Sequence, residues 1–257
     1  MLKFIDISNW QAGFPVSNAN IDAIIVKATE GINFTDKCCD VFVQQAIKRK
    51  MPWGFYHFAS YNDATAEADY FINETENYFG AGIPVLDWEG VYDANGNLNF
   101  DQPVEWVNEF VNRVHERTGV WPWIYANSSR FNRGGVEPNC MRWVAGYPQY
   151  GITDWSQIDP SCPYETDGLV GAWQFTSSGK LDAYHGNIDM NFFYGDAAAW
   201  DAYTGKNTVV MQPVQETADY LTQFANAVID GEYGNGEERK NNIYNAVQNR
   251  VNQILKG

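Results

Sequence analysis

The chain is poor in positive charge. Its 17 Lys and Arg stand against 32 Asp and Glu, a formal net charge of −15 and a pI near 4.5. Phosphate backbones and anionic bilayers are bound by basic clusters, so no nucleic-acid partner and no membrane insertion is expected; the acidic excess serves solubility. Soft metal ligands are scarce too. With 3 His and 4 Cys, and with Cys38 and Cys39 adjacent, no zinc-ligand spacing arises, and neither a metal nor another cofactor is expected. A Cys140–Cys162 bridge is open, but reduced thiols fit a chain without an export signal better. No run of about 18 apolar residues occurs, which leaves no transmembrane helix candidate. The opening Met1-Leu2-Lys3-Phe4-Ile5 lacks the apolar region and small-residue cleavage site of a signal peptide, and the first strand begins almost at once.

Apolar and aromatic residues are plentiful. Hydrophobic residues make up 45% of the 257 and aromatics 16%, sufficient for one large domain with an appendage and for aromatic surfaces beyond the core. Strand-like runs at residues 2–7, 23–28, 53–59, 83–89, 121–126, 142–146, 171–175 and 186–191 alternate with helical stretches at 37–50, 65–78 and 102–118. In the last of these, Val104, Val107, Phe110, Val111 and Val114 recur at helical spacing. After Tyr125 the connections turn rich in Gly, Pro and Asn. The expectation is an α/β fold: a modified (β/α) TIM-like barrel with fewer helices in its second half.

Asp87-Trp88-Glu89 closes the apolar run Gly82-Ile83-Pro84-Val85-Leu86. Residues two apart on a strand share a face, with side chains starting roughly 6.6 Å apart. Two carboxyl groups so close do not ionise independently, and one holds its proton to higher pH. A protonated carboxyl beside a charged one is the equipment of glycoside hydrolysis. Active sites of such barrels form at the C-terminal strand ends. Asp6 near the end of the first strand and Asp189 on the last become neighbours on closure, with Asp87 and Glu89 facing them across the mouth.

The pattern changes near Gly205. Residues 206–216 read as a polar linker, and 217–257 as a small helical domain. There Leu221, Phe224, Ala225, Val228 and Ile229 form one apolar stripe, and Ile243, Val247, Val251 and Ile254 another. A unit of this size is marginal alone, so it docks on something: the main domain, a partner, or its own copy.

Several segments, in order, resemble family 25 glycoside hydrolases, the Chalaropsis-type lysozymes. They are Phe4-Ile5-Asp6-Ile7-Ser8-Asn9-Trp10-Gln11, Val26-Lys27-Ala28-Thr29-Glu30-Gly31, Gly54-Phe55-Tyr56-His57-Phe58, Asp87-Trp88-Glu89, Trp123-Ile124-Tyr125, Trp143-Val144-Ala145, Trp173-Gln174-Phe175 and Ile188-Asp189-Met190-Asn191. The resemblance implies a modified (β/α) barrel and cleavage of the β-1,4 bond between N-acetylmuramic acid and N-acetylglucosamine in peptidoglycan. The tail, from Ala227-Val228-Ile229-Asp230-Gly231-Glu232-Tyr233-Gly234-Asn235-Gly236 to Val247-Gln248-Asn249-Arg250-Val251-Asn252, is similar to a short wall-binding repeat of phage lysins. A single copy binds weakly, which makes a homo-oligomer through the tail plausible as a source of avidity.

On that resemblance Glu89 is the general acid and Asp87 stabilises a substrate-assisted intermediate. Asp6 and Asp189 hold water, steer the acetamido group or stabilise the oxocarbenium charge. Tyr56, Tyr125 and Trp143 line the sugar cleft, while Trp10 and Trp173 are platform or core. Trp88 alternates outward to packing, and His57, Lys27 and Glu30 are structural. The whole resembles a phage endolysin, made in the host cytosol and released to the wall through a holin pore. Two alternatives stand: a chitinase-like hydrolase, against which the missing Asp-x-x-Asp-x-Asp-x-Glu run counts, and a non-catalytic wall-binding protein, against which the intact Asp87 and Glu89 count.

Overall fold

A computed structural model describes residues 1–205 together with Lys240 and Ile243. The chain divides into two units, Met1–Thr208 and Val209–Gly257. The linker at 206–216 and the helical domain at 217–257 expected from the sequence lie outside the described residues, apart from those two positions.

The first unit carries strands β1 (Leu2–Ile7), β2 (Ala23–Glu30), β3 (Phe34–Thr35), β4 (Trp53–Phe58), β5 (Ile83–Asp87), β6 (Val91–Tyr92), β7 (Leu98–Phe100), β8 (Trp123–Asn127), β9 (Arg142–Ala145), β10 (Val170–Leu181) and β11 (Tyr184–Phe193). Eight of them close into a barrel in the order β1-β2-β4-β5-β8-β9-β10-β11, with β11 returning to β1. Six of the barrel pairings are parallel, as βαβ units require. The two made by β11 are antiparallel, because β10 and β11 are joined by a tight hairpin too short for a crossover. Asp189 therefore reaches the mouth from a strand running against the others, not from a C-terminal strand end.

Helices α1 (Cys39–Arg49), α2 (Ala64–Glu74) and α3 (Val104–Thr118) cover the first half of the barrel; among the described residues of its second half the short α4 (Ser128–Phe131) and α5 (Ala197–Ala202) follow. Their ends follow the sequence. Asp63 caps α2 by accepting from the Ala66 amide, and Gly119, at φ +74°, ends α3 in the left-handed conformation that suits glycine. Among the described residues no helix is long and apolar enough to cross a membrane.

Strand alternation sorts the core into two layers. Phe4, Ile25, Val85, Trp123, Trp143 and Phe193 fill the barrel interior. Ile24, Val26, Leu86, Ile124 and Val144 face outward onto Phe42, Phe71 and Phe110 of the helices. At the end remote from the mouth, Trp200 of α5 plugs the barrel. Its ring lies 5.2 Å from those of Trp123 and Phe193, and its Nε1 donates to the Trp53 carbonyl at 3.1 Å.

Candidate active site

The open end of the barrel holds a cavity of about 270 Å³, walled by Asp6, Asp87, Glu89 and Asp189, by Trp10, Tyr56, Tyr125, Trp143 and Tyr147, and by Lys27 and Gln174. The four carboxylates named from the sequence thus share one space. Asp6 of β1 and Asp189 of β11 are direct cross-strand partners. β5 stops at Asp87, short of the strand end expected at 89. The Trp88 amide still donates to the Tyr125 carbonyl at 2.8 Å, which carries the alternation one residue further. Asp87 and Glu89 turn inward, and Trp88 is fully buried on the helix side with its Nε1 on the Gln102 carbonyl at 3.0 Å.

Burial is the leading cause that raises all four carboxyl groups above their ordinary range. Asp6 is pushed up to about 6, held back by hydrogen bonds from Asn191 and Gln174. Asp189 is pushed up to about 8 by burial and then by the charges of Asp6 and Glu89. Asp87 is raised well above its usual value, by burial and then Glu89, against the pull of Lys27. Its Oδ1 is buried without a hydrogen-bond partner. Glu89 stands exposed at the mouth, and desolvation by the surrounding wall raises its carboxyl, offset by Tyr125, Arg130 and Lys27. The sequence leads to the expectation that mutual repulsion of Asp87 and Glu89 raises one of them; at Glu89 the leading cause is desolvation.

An amide network holds Asp6. Its Oδ1 accepts from Gln174 Nε2 at 3.1 Å and Asn191 Nδ2 at 2.8 Å. The Gln174 amide oxygen accepts from the hydroxyls of Tyr125 at 2.9 Å and Tyr147 at 2.6 Å, and that of Asn191 from Trp143 Nε1 at 2.9 Å. With both amide oxygens occupied by donors, both amide nitrogens face the carboxylate. Gln174, Asn191 and Tyr147 were not singled out from the sequence. The signal for Gln174 lay in its neighbours: Trp173 and Phe175 belong outward, so the residue between them points in.

That alternation also corrects Trp173. It is buried in the outer core with its Nε1 on the Gly146 carbonyl at 2.9 Å, and it takes no part in the cavity. Trp10 lies at the rim, 83% exposed, on a turn whose start is capped reciprocally by Ser8 and Gln11. Trp143, Tyr125 and Tyr56 stand in the wall as expected. Lys27 pairs with Glu30 at 2.6 Å and lies over the Phe58 ring at 4.8 Å, so it serves the cavity as well as the strand end. His57 is buried behind the wall, its ring nitrogens on Thr29 at 2.8 Å and Glu67 at 2.9 Å, and burial lowers its pKa. All four thiols are free.

Comparison with known proteins agrees with this geometry. Residues 5–184 match the model of glycosyl hydrolases family 25, and residues 222–255 match the CW_7 repeat. Lysozyme M1 of Streptomyces globisporus is 30% identical, over 76% of this chain and 68% of its own length. The lysozyme of Streptococcus phage Cp-7 is 28% identical, over 98% of this chain and 69% of its own length. The crystal structure of the bacterial lysozyme from Streptomyces coelicolor aligns at a TM-score of 0.61 and 26% identity, over 81% of this chain and 98% of that one. A closed barrel with carboxylates at its mouth, and a family match from the first strand to the last hairpin, lead to one conclusion: the chain is a glycoside hydrolase and belongs to glycosyl hydrolase family 25.

Proposed function

We propose that this chain is a peptidoglycan hydrolase of the phage endolysin type, cutting the β-1,4 bond between N-acetylmuramic acid and N-acetylglucosamine. Its lysozyme relatives support the reaction class, and the phage relative supports the setting. The observation that carries the reading is the gathering of Asp6, Asp87, Glu89 and Asp189 around one aromatic-walled cavity in a family 25 barrel.

Glu89 is the general acid. Desolvation by the surrounding wall raises its hold on the proton, and that proton passes to the glycosidic oxygen as the bond to the anomeric carbon breaks. The substrate's own acetamide oxygen then bonds that carbon, so no protein nucleophile is needed. Asp87 fits the partner of that acetamide, since its buried Oδ1 has no other hydrogen bond. Glu89, now ionised, takes a proton from the water that opens the intermediate. Asp6 stabilises the positive charge of the sugar ring, and Asp189, which holds its proton up to about 8, hydrogen-bonds that water. Tyr56, Tyr125, Trp143 and exposed Trp10 supply apolar faces for the glycan.

The proposed organisation is a catalytic barrel at 1–205, a linker at 206–216 and a wall-binding domain at 217–257, supported by the CW_7 match at 222–255. Self-association through that domain adds avidity to the repeat at 222–255. An enzyme of this type is made in the host cytosol and reaches the wall through a holin pore.

Digestion of purified cell walls tests the reaction. The wild-type chain is expected to leave muramic acid at the new reducing ends, and Glu89→Gln to release almost none. Reducing-end N-acetylglucosamine, or full activity in Glu89→Gln, overturns the reading. A covalent glycosyl-enzyme trapped on Asp87 overturns the acetamide route alone.

A further inference from the structure

We propose that Arg130 is a positioning residue for Glu89: it clamps the main-chain carbonyl of the acid and brings a buried cation up to it. The inference rests on Glu89 being the acid. Glu89 lies beyond the end of β5, so no strand ladder holds its backbone. Arg130, on α4, has a side chain only 4% exposed. Its Nη2 donates to the Glu89 carbonyl, and its Nη1 to Asp101 Oδ1. The chain leaves the barrel wall after Trp88 and returns at Gln102, whose side chain is tied to the Ala59 and Ser60 carbonyls at 3.1 and 2.8 Å. Arg130 therefore grips both ends of this excursion, the acid at one and Asp101 at the other.

Asp101 and Trp88 brace the clamp, while Arg130 Nε is buried without a hydrogen-bond partner. Asp101 Oδ2 accepts from Arg133 at 2.7 Å, and the guanidinium groups of Arg130 and Arg133 each lie 5.4 Å from the Trp88 ring centre. Gly90 makes the approach feasible. Its φ is +88°, and an added Cβ would lie 2.6 Å from Arg130 Nη2 and 2.8 Å from Leu98 Cδ1. Neither Arg130 nor Gly90 stands out in the sequence, because neither carries reactive chemistry.

The guanidinium charge is paired with Asp101, and it also acts on Glu89. Acidic Asp6, Asp87 and Asp189 face Glu89 from β1, β5 and β11, and the hydroxyls of Tyr56, Tyr125 and Tyr147 complete its surroundings. Against them stand two cations, Lys27 from β2 and Arg130 from α4, which both favour ionised Glu89. Arg130 keeps the acid strong enough to release its proton in the transition state, opposing the desolvation that raises it.

The test is the pH profile of the full chain on soluble peptidoglycan fragments, for wild type, Arg130→Gln, Arg130→Lys and Gly90→Ala. Arg130→Gln removes the charge. The alkaline limb of activity should move up by about one pH unit as Glu89 holds its proton longer, since one nearby opposite charge has about that effect. Turnover should fall at least about tenfold with KM within about twofold, the signature of a group acting in the transition state. Arg130→Lys should keep the alkaline limb and recover part of the turnover. Gly90→Ala, which pushes Arg130 off the carbonyl by another route, should also lower turnover, and it decides the matter if Arg130→Gln does not fold. An unmoved limb in folded Arg130→Gln, a loss carried by KM, or wild-type turnover in Gly90→Ala overturns the proposal while Glu89→Gln stays inactive. Full activity in Glu89→Gln overturns the acid assignment and this inference with it.

Discussion

Asp6 and Asp189 face each other as cross-strand partners of β1 and β11. Like charges directly opposite on a sheet are destabilising, and nothing in the packing of a barrel calls for them. Their pairing is a cost borne by the fold at its mouth, and it makes stability depend on pH.

Asp189 holds its proton up to about 8 in the folded chain against an ordinary 3.8. A raised carboxyl contributes stability that is complete below pH 4 and is lost as pH climbs through about 8, because the unfolded chain releases that proton first. Asp189→Asn is expected to melt with the wild type at pH 4 and above it at pH 8. The gain should be about 1–3 kcal/mol, at about 2–4 °C per kcal/mol for a domain of this size. Thermal melts at the two pH values measure it, and equal melting at pH 8 would remove the electrostatic cost argued here.

Gln174 joins Asp6 to the hydroxyls of Tyr125 and Tyr147. Gln174→Leu leaves three buried or half-buried polar groups each short of a partner. Loss of stability by about 1–3 kcal/mol is expected in denaturant titration. Asp6 also loses a hydrogen bond that holds it near 6, so the acid limb of activity should shift to higher pH.

Trp10 has little core to lose. Trp10→Ala should leave the melting temperature nearly unchanged, within about 0.5 kcal/mol, and raise KM several-fold at constant turnover. A fall in turnover with constant KM would place Trp10 in the transition state instead of on the glycan's path.

Trp200→Ala opens a cavity at the closed end of the barrel, between Phe4, Trp123 and Phe193. A loss of about 3–5 kcal/mol is expected, with turnover at low temperature within about twofold of wild type. Equilibrium unfolding and kinetics on the same variant check both halves.

Much of the site was legible before the fold. Asp87, Glu89, Asp6 and Asp189 were nameable because carboxylates at strand ends stand out against apolar runs and recur in family order. Trp88 was correctly turned outward by period-two alternation alone. The same rule applied to Trp173 removes it from the cleft and puts Gln174 there, yet an aromatic residue drew attention to itself and an amide did not. Arg130 and Gly90 were beyond reach, since their part depends on which loops meet at one strand end.

The sequence by itself determined the class of the fold, the loss of helices in its second half, the inward carboxylates and the family. These follow from local periodicity and from residue types in order, which the chain carries whatever its path. The tertiary structure decided that β11 runs antiparallel, that Trp200 closes the barrel, and that desolvation raises the carboxyl groups at the mouth. It also decided that Arg130, on α4, meets the Glu89 carbonyl. Each of these depends on contacts between residues far apart in the chain and on how much water closure excludes, and neither quantity is written at any single position.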